Sequence, residues 1–273
     1  MNVRELEKIT DRFVSSDRMP MLFIGHGHPM NALLDNEFTR TLSQLGDSLE
    51  KPTAALVVSA HWQTRGTYVS VNAQPKTIYD FGNFDSRLFQ IRYEPVGSPE
   101  LAREVIRAAT EFSIKEDATM GLDHGAWTVL KYIFPQADVP VFQLSLDYRQ
   151  PPAYHYRLGQ VLRKLRRKGV LVIGSGNIVH NLRMLDWQNL SARPYDWAIE
   201  FDATVKQYLD QRQFDKLVRY HELGTAAQMS IPTNDHYLPM LYLLGLMEPD
   251  ERIHYAFEGF QYAGISMRSF LTV

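Results

Sequence analysis

Three histidines in this chain each follow a short apolar segment rich in Val, Leu or Ile. They are His26, His61 and His180, and the segments before them begin at residues 21, 56 and 170. Apolar runs of this kind are too short for helices and are typical of strands covered on both faces. The carboxyl ends of such strands form the edge of an open α/β sheet where ligands bind. We therefore expect the three imidazoles to converge at one sheet edge.

Two further histidines have a sequence context that favours a role in the same site. His236 lies in a loop of Pro, Thr, Asn and Asp that precedes an apolar helix, and His124 lies in an Asp-His-Gly turn. His28 follows His26 by two residues, and we expect only one of this pair to face the site. The remaining histidines are predicted to be structural or solvated, and they are His155, His221 and His254.

A cluster of neutral imidazoles suits Zn, Fe, Cu or Ni better than Mg or Ca, which prefer oxygen ligands. The chain has no His-Glu-x-x-His helix, and Gly174-Ser175-Gly176 lacks the spacing of a nucleophile elbow. Its short glycine segments do not form a dinucleotide-binding fingerprint. The residues alone therefore predict a mononuclear metal site, and they leave open an oxygen-activating enzyme, a zinc hydrolase and a metal-storage protein.

Composition limits the class of protein. The chain has 273 residues, 45% of them hydrophobic, with a net charge of −2 and no cysteine. This charge argues against nucleic-acid binding, and the lack of cysteine excludes disulfides and thiolate ligands. No apolar run approaches the roughly 20 residues that span a bilayer, and residues 1–8 do not resemble a secretory signal. We expect a cytoplasmic protein with one catalytic domain over residues 1–273.

The elements that position the histidines alternate between strand and helix patterns. This alternation predicts an α/β fold with a central, mostly parallel or mixed sheet covered by helices on both faces. Residues 1–18 are predicted to form a short amphipathic helix or an arm, and 67–72 a strand near a sheet edge. Helices are predicted over 36–49, 98–112, 128–134, 152–168, 195–211 and 237–247. Further strands are predicted over 140–146, 252–258 and 263–272, the last two as a hairpin.

The segment 78–93 contains five aromatic residues and has neither helical nor strand periodicity. This segment has two interpretations. The aromatic side chains either line a pocket, or they only attach the loop to the core.

Five motifs, in order along the chain, resemble those of the class III extradiol ring-cleavage dioxygenases, the LigB-like family, and particularly its 4,5-DOPA extradiol dioxygenase branch. Each motif is weak alone, but together they extend from about residue 20 to 240. They are Gly25-His26-Gly27 with Pro29, Ser59-Ala60-His61-Trp62, Asp123-His124-Gly125, Gly176-Asn177-Ile178-Val179-His180-Asn181 and His236-Tyr237-Leu238-Pro239.

The resemblance implies an Fe(II) enzyme that binds a catechol and O2 and cleaves the ring beside the diol. Family members typically hold iron with two histidines and a carboxylate. The ligands implied here are His26, His61 and His236, with Asp235 as a fallback for the third. A histidine in the third position is the main departure from the family pattern.

The roles of the other two histidines also follow from the resemblance. Catecholate and O2 leave at most three positions for protein ligands on an octahedral iron. His180 is therefore expected to act as the general base that removes a catechol proton, and His124 as an acid. In a zinc form, His180 could join the other ligands at the metal, and that form should be inactive towards O2. Candidate walls for the aromatic ring are Trp62, Tyr79, Phe81 and Trp127, and Arg183 is a candidate partner for a substrate carboxylate.

Overall fold

The structure is a computed structural model that describes residues 18–82 and 84–272. The predicted helix or arm over 1–18 lies almost wholly outside these residues.

Twelve strands and eight α-helices are present in the described part of the chain. The strands are β1 (Met21–Gly25), β2 (Ala54–Ser59), β3 (Gln63–Thr64), β4 (Tyr68–Ser70), β5 (Lys115–Asp117), β6 (Val141–Gln143), β7 (Leu146–Asp147), β8 (Val170–Gly176), β9 (Ile253–Phe257), β10 (Phe260–Gln261), β11 (Ile265–Ser266) and β12 (Ser269–Thr272). The helices are α1 (Glu37–Ser48), α2 (Pro99–Ala108), α3 (His124–Ile133), α4 (Pro152–Leu162), α5 (Asp196–Asp210), α6 (Phe214–Val218), α7 (Thr225–Ser230) and α8 (Leu238–Leu246).

A six-stranded sheet with the order β6-β2-β8-β1-β12-β9 forms the centre of the fold. The first four strands are parallel to one another. Strand β12 pairs antiparallel with β1, and β9 pairs antiparallel with β12. Every residue of β1, β2 and β8 is buried, which explains their continuous apolar sequences. The predicted α/β fold with a mostly parallel, mixed sheet is confirmed.

Successive residues of the central strands face opposite sides of the sheet, as the two-residue period of a strand requires. In β1, Met21 and Phe23 join one core cluster, whereas Leu22 and Ile24 join the other. Helices α2, α4, α5 and α8 cover the first face, and α1 and α3 cover the second. Both core clusters therefore pack against the same sheet.

Several helix boundaries differ from the sequence prediction. Helix α3 begins at His124 because the side chain of Asp123 caps it by accepting a hydrogen bond from the backbone N–H of Ala126. The predicted helix over 128–134 therefore begins four residues earlier, at 124. Ser98 occupies the N-cap position of α2 but makes no capping hydrogen bond with its side chain.

The predicted segments at the two sheet edges had different outcomes. The C-terminal strands pair in antiparallel fashion, with Tyr255 opposite Phe270, although the short strands β10 and β11 lie between them. The strand predicted over 67–72 is shorter and pairs with β5 in a separate two-stranded sheet. Among the described residues, no helix has the length and apolar character that crossing a membrane requires.

Candidate active site

The first three site loops leave the sheet side by side because their strands are parallel and adjacent. Gly25 of β1 lies opposite Gly176 of β8, and Ser59 of β2 lies opposite Ser175 of β8. The backbone N–H of His26 donates to the carbonyl of Gly176 at 3.1 Å and so continues this ladder. The carboxyl end of the sheet thus places the residues that follow β1, β2 and β8 around one space.

Three histidine side chains present nitrogen atoms that lie within 4.8 Å of one another, and they are His26, His61 and His236. The Nε2 atoms of His26 and His61 are 3.2 Å apart. Two nitrogens bound to one ion at about 2.1 Å each, in cis or tetrahedral positions, lie roughly 3.0–3.4 Å apart. The separation of this pair therefore fits two ligands of a single metal ion.

The tautomer of His26 is fixed by a hydrogen-bonded serine. Ser175 Oγ donates its one hydrogen to the carbonyl of Gly125 at 2.6 Å. It must therefore accept from His26 Nδ1, which lies 2.9 Å away. Because Nδ1 carries the proton, the lone pair of His26 is on Nε2, the atom that faces His61. Such a hydrogen bond orients a histidine for metal binding.

Asp80 connects two of the site histidines. Its Oδ2 lies 2.9 Å from Nδ1 of His124 and 3.5 Å from Nδ1 of His61, and its Oδ1 accepts the backbone N–H of His124 at 2.8 Å. A carboxylate behind the Nδ1 of His61 favours the tautomer with a free Nε2 lone pair. Asp80, His61 and His124 form a second set whose donor atoms are close enough to share an ion.

His236 has the environment of a ligand whose partner is an ion. Its Nε2 is buried and makes no hydrogen bond to the described residues, whereas its Nδ1 lies 3.3 Å from Asp235 Oδ1. A buried polar atom without a partner is costly and requires an explanation. The residues present therefore fit a metal that prefers nitrogen ligands.

Burial lowers the pKa of both His26 and His61 well below 6.5, and the neighbouring histidines lower it further. These imidazoles are therefore neutral near pH 7, which is the form that binds metals. Burial also lowers the pKa of His180 well below 6.5, with a further contribution from His236.

The ring of His180 stacks face to face on that of His236, with centroids 3.5 Å apart and planes 10° from parallel. Its backbone N–H donates to the carbonyl of Ser230 at 2.9 Å, which fixes the start of the loop. Among the described residues, His180 belongs to neither set of donor atoms that could share an ion. It lies beside the ligand set, and its ring faces the same cavity.

A cavity of about 210 Å³ opens in front of these side chains. Six histidines line it, namely His26, His28, His61, His124, His180 and His236. Asp80 and the apolar side chains of Phe81, Phe84, Leu182, Trp187 and Ile265 complete most of the wall. The pocket therefore combines a nitrogen-rich floor with aromatic sides.

The predicted aromatic walls are only partly correct. Phe81 lines the cavity, but Trp62, Tyr79 and Trp127 do not. Trp127 is fully buried in α3, where its indole N–H donates to the carbonyl of Ile78 at 2.9 Å. Tyr79 packs against both Trp127 and Phe81. Helix α3 faces the core at this position, and this orientation places Trp127 away from the cavity.

The prediction that only one residue of the His26 and His28 pair faces the site is wrong, because both line the cavity. Only His26 belongs to a donor set.

Among the other histidines, His155 is buried against the hydroxyl of Tyr242, and His221 lies at the surface beside Glu222. Arg183 is not among the residues that line the cavity.

Sequence reasoning missed Asp80, Phe84 and Trp187. Asp80 and Phe84 belong to the aromatic segment 78–93, for which a pocket-lining role was one of two interpretations, and the pocket role is confirmed for this part. Asp80 is the one carboxylate of this segment with an aromatic residue on both sides. This context was a sequence signal for a side chain in the pocket. Trp187 lies in an irregular loop after His180, and nothing in the sequence distinguishes it.

The fold and the site define a class of metal-dependent enzyme, and comparison with known proteins identifies that class. A family model described as the catalytic LigB subunit of aromatic ring-opening dioxygenase matches residues 23–270. The chain belongs to this family, and it is an extradiol ring-cleavage dioxygenase. Its substrates are accordingly a small aromatic molecule and O2.

Individual relatives agree with this assignment. The chain is 43% identical over 267 residues to the 4,5-DOPA dioxygenase extradiol of Escherichia coli K12, with 96% of this chain and 97% of the relative covered. It is 35% identical to the Beta vulgaris protein of the same name, with coverage of 87% and 91%. The crystal structure of an uncharacterized Escherichia coli K12 protein is similar, with a TM-score of 0.82, 40% identity and coverage of 93% and 99%.

Proposed function

We propose that this protein cleaves catechols such as DOPA between ring carbons 4 and 5, using Fe(II) held by His26, His61 and His236. The observation that carries the proposal is the close approach of three imidazole donors, with Nε2 of His26 and His61 only 3.2 Å apart. The name of the Escherichia coli relative supports DOPA as a first substrate to test. The zinc hydrolase alternative is not favoured, because these relatives are dioxygenases by name.

Bound Fe(II) would supply the electron exchange with O2, which side chains cannot provide. We assign His180 as the base that accepts a proton from a catechol hydroxyl, because its ring is neutral and stacks on a proposed ligand. In a resting zinc form, His180 is proposed as a fourth ligand beside His26, His61 and His236. Zinc would be inactive because it does not exchange electrons with O2.

We assign His124 as the acid that returns a proton to the opening ring. Asp80 accepts from both its backbone N–H and its Nδ1, which fixes the orientation of the ring in the site. Phe81 packs edge-on against His124, with centroids 5.5 Å apart, and forms one aromatic side of the cavity. The apolar wall would hold the catechol ring and exclude water from these proton transfers.

We propose that the chain forms one catalytic domain, because both core clusters pack against the sheet that carries the site. A cytoplasmic location remains a prediction from composition.

The test is reconstitution without air. Metal-free protein is loaded with Fe(II), mixed with DOPA and then exposed to O2, while oxygen uptake and absorbance are followed. We expect one O2 consumed per catechol and a coloured semialdehyde, and no uptake by protein loaded with Zn(II). Hydrolysis of ester or amide probes without oxygen uptake would support the hydrolase instead, and the absence of both activities would support metal storage.

A further inference from the structure

We propose that His28 is a specificity-determining residue, which selects catechols whose ring substituent carries a hydrogen-bond acceptor. The acceptor would be a carbonyl or carboxylate oxygen, bound by the Nε2–H group of His28. This inference rests on the proposed function, since it assumes that the cavity binds a catechol. It concerns a side chain that lies outside both donor sets.

The hydrogen bonding of His28 fixes its tautomer. Its Nδ1 accepts the backbone N–H of Met30 at 3.2 Å and thereby caps the 3-10 helix Pro29–Leu33. A backbone N–H can only donate, so Nδ1 carries the lone pair and the neutral ring has its hydrogen on Nε2. No described residue accepts a hydrogen bond from this Nε2–H. The ring therefore offers one free donor on the side away from its own main chain.

Three aromatic rings hold this donor in place. His28 makes edge contacts with Phe84, Trp187 and Tyr262, with centroid distances of 4.6, 5.6 and 5.3 Å. The side chain is buried, and it contributes to the wall of the cavity. A donor that is already oriented loses little conformational entropy when it binds a ligand. A catechol without an acceptor would instead leave the buried N–H unpaired, which costs binding energy.

The composition of the cavity wall leaves His28 as the available donor. No Lys or Arg is among the described residues that line the cavity. The other five histidines of the wall are used as proposed ligands or in proton transfer, and Asp80 already accepts from His124. The remaining lining residues are apolar or glycine, apart from the indole N–H of Trp187, whose side chain is about half exposed to solvent. His28 is therefore the one buried polar side chain of this wall, among the described residues, that is free to recognise a substituent.

A matched pair of variants separates substrate recognition from the capping role. In His28→Asn, the short amide can still accept from Met30 but cannot reach the position of Nε2. In His28→Gln, the longer side chain places an amide N–H near the position of Nε2 but does not cap in the same way. The probes are (3,4-dihydroxyphenyl)acetone and 4-isobutylcatechol, which have nearly the same shape and differ in that a methyl group of the second replaces the carbonyl oxygen of the first.

Two measurements are made with each probe. The first is kcat/KM by oxygen uptake of the Fe(II) form, and the second is Kd by calorimetry of the Zn(II) form, which does not turn over. We expect the parent protein to prefer the ketone by about tenfold in both measurements. His28→Asn should reduce this ratio to about one, and His28→Gln should restore most of it.

Each failure has a distinct meaning. If the parent cleaves both probes equally, or if His28→Asn keeps the preference, the role of His28 is refuted while the dioxygenase assignment stands. If His28→Gln, which does not cap in the same way, shows a smaller preference for the ketone than His28→Asn, the preference depends on the cap and His28 is only structural. If neither probe is cleaved by the Fe(II) form of the parent, the proposed function itself fails.

Discussion

At the scale of single residues, the site depends on hydrogen bonds that determine which imidazole nitrogen is free. Ser175 fixes the tautomer of His26, and Asp80 lies behind Nδ1 of His61 and His124. These contacts orient the nitrogen atoms before any ion binds. A metal site with ligands held in this way requires little rearrangement on loading.

The first prediction concerns Ser175. Changing Ser175→Ala should weaken metal binding by about 10–100-fold, because His26 then loses the acceptor that holds its Nδ1–H. Competition with a coloured chelator measures this affinity. Ser145→Ala is the matched control, since Ser145 is equally buried and hydrogen bonded but contacts no site histidine. Equal metal affinity in the Ser175 variant and the parent would contradict the tautomer assignment.

The second prediction separates a ligand from a base. His61→Ala should lose most of its bound metal, because His61 is one of the three residues whose donor atoms lie close enough to share an ion. His180→Ala should retain metal but lose turnover, because its proposed task is proton transfer. Metal content after dialysis and oxygen uptake with DOPA are measured for both variants. Tight iron binding by the His61 variant would show that the ligand assignment is wrong.

At the scale of elements, the first turn of α3 lies against the end of β2. A Cβ atom added at Gly125 would lie 2.5 Å from Ser59 Oγ and 2.9 Å from Cδ2 of His61. Both distances are shorter than any ordinary contact, so a larger residue would displace the ligand loop. The lack of a side chain at Gly125 thus allows the helix that carries His124 to approach the strand that positions His61.

The third prediction follows from this contact. Gly125→Ala should weaken metal binding by about tenfold while the protein still folds, because a shifted ligand loses geometry that the site requires. Gly159→Ala provides the comparison, since its Cβ would lie 2.1 Å from the carbonyl oxygen of Tyr242, where α4 packs on α8. We expect that variant to lose about 1–3 kcal/mol of unfolding free energy in urea. Its metal affinity per folded molecule should be unchanged, and the reverse pattern would contradict the assignment.

The sequence predicted those parts of the site that follow regular elements. His26, His61 and His180 were identified because an apolar strand pattern ends shortly before each one, and strand direction then determines where they meet. Asp80 was missed because its contact with His124 joins residues 44 positions apart through an irregular loop. No periodicity describes such a loop, so the contact depends on tertiary packing. Trp127 was misassigned because the helix was predicted to begin at 128, so the position of Trp127 on the buried face of α3 could not be inferred.

At the scale of the whole molecule, a buried ion pair joins the 3-10 helix Arg163–Lys168, which follows α4, to the segment that precedes β9. Arg166 and Glu251 are both almost fully buried, and the guanidinium donates to both carboxylate oxygens. Arg166 also donates to the carbonyl of Met19 at 2.8 Å, next to β1. One side chain therefore connects the start of the sheet, the helix layer and the segment that precedes β9.

The last prediction is a dependence of stability on pH. Burial by itself would raise the pKa of Glu251, but the hydrogen bonds and charge of Arg166 outweigh it and leave the pKa below its ordinary value of 4.5. A carboxyl with a lowered pKa in the folded state binds fewer protons than in the unfolded state, so it contributes stability above about pH 4.5. This contribution is lost as the pH falls through the folded-state pKa.

Urea denaturation at several pH values tests this dependence. Glu251→Gln should lower the unfolding free energy at pH 7 by about 3–5 kcal/mol, because Arg166 then remains buried without a counter-charge. The difference between variant and parent should shrink as the pH falls below about 4.5, where the parent also loses the charge of Glu251. Glu116→Gln is the control, because its ion pair with Arg103 is exposed and should contribute under about 1 kcal/mol. A constant difference between the Glu251 variant and the parent from pH 7 to 3 would show that this pair does not titrate with folding.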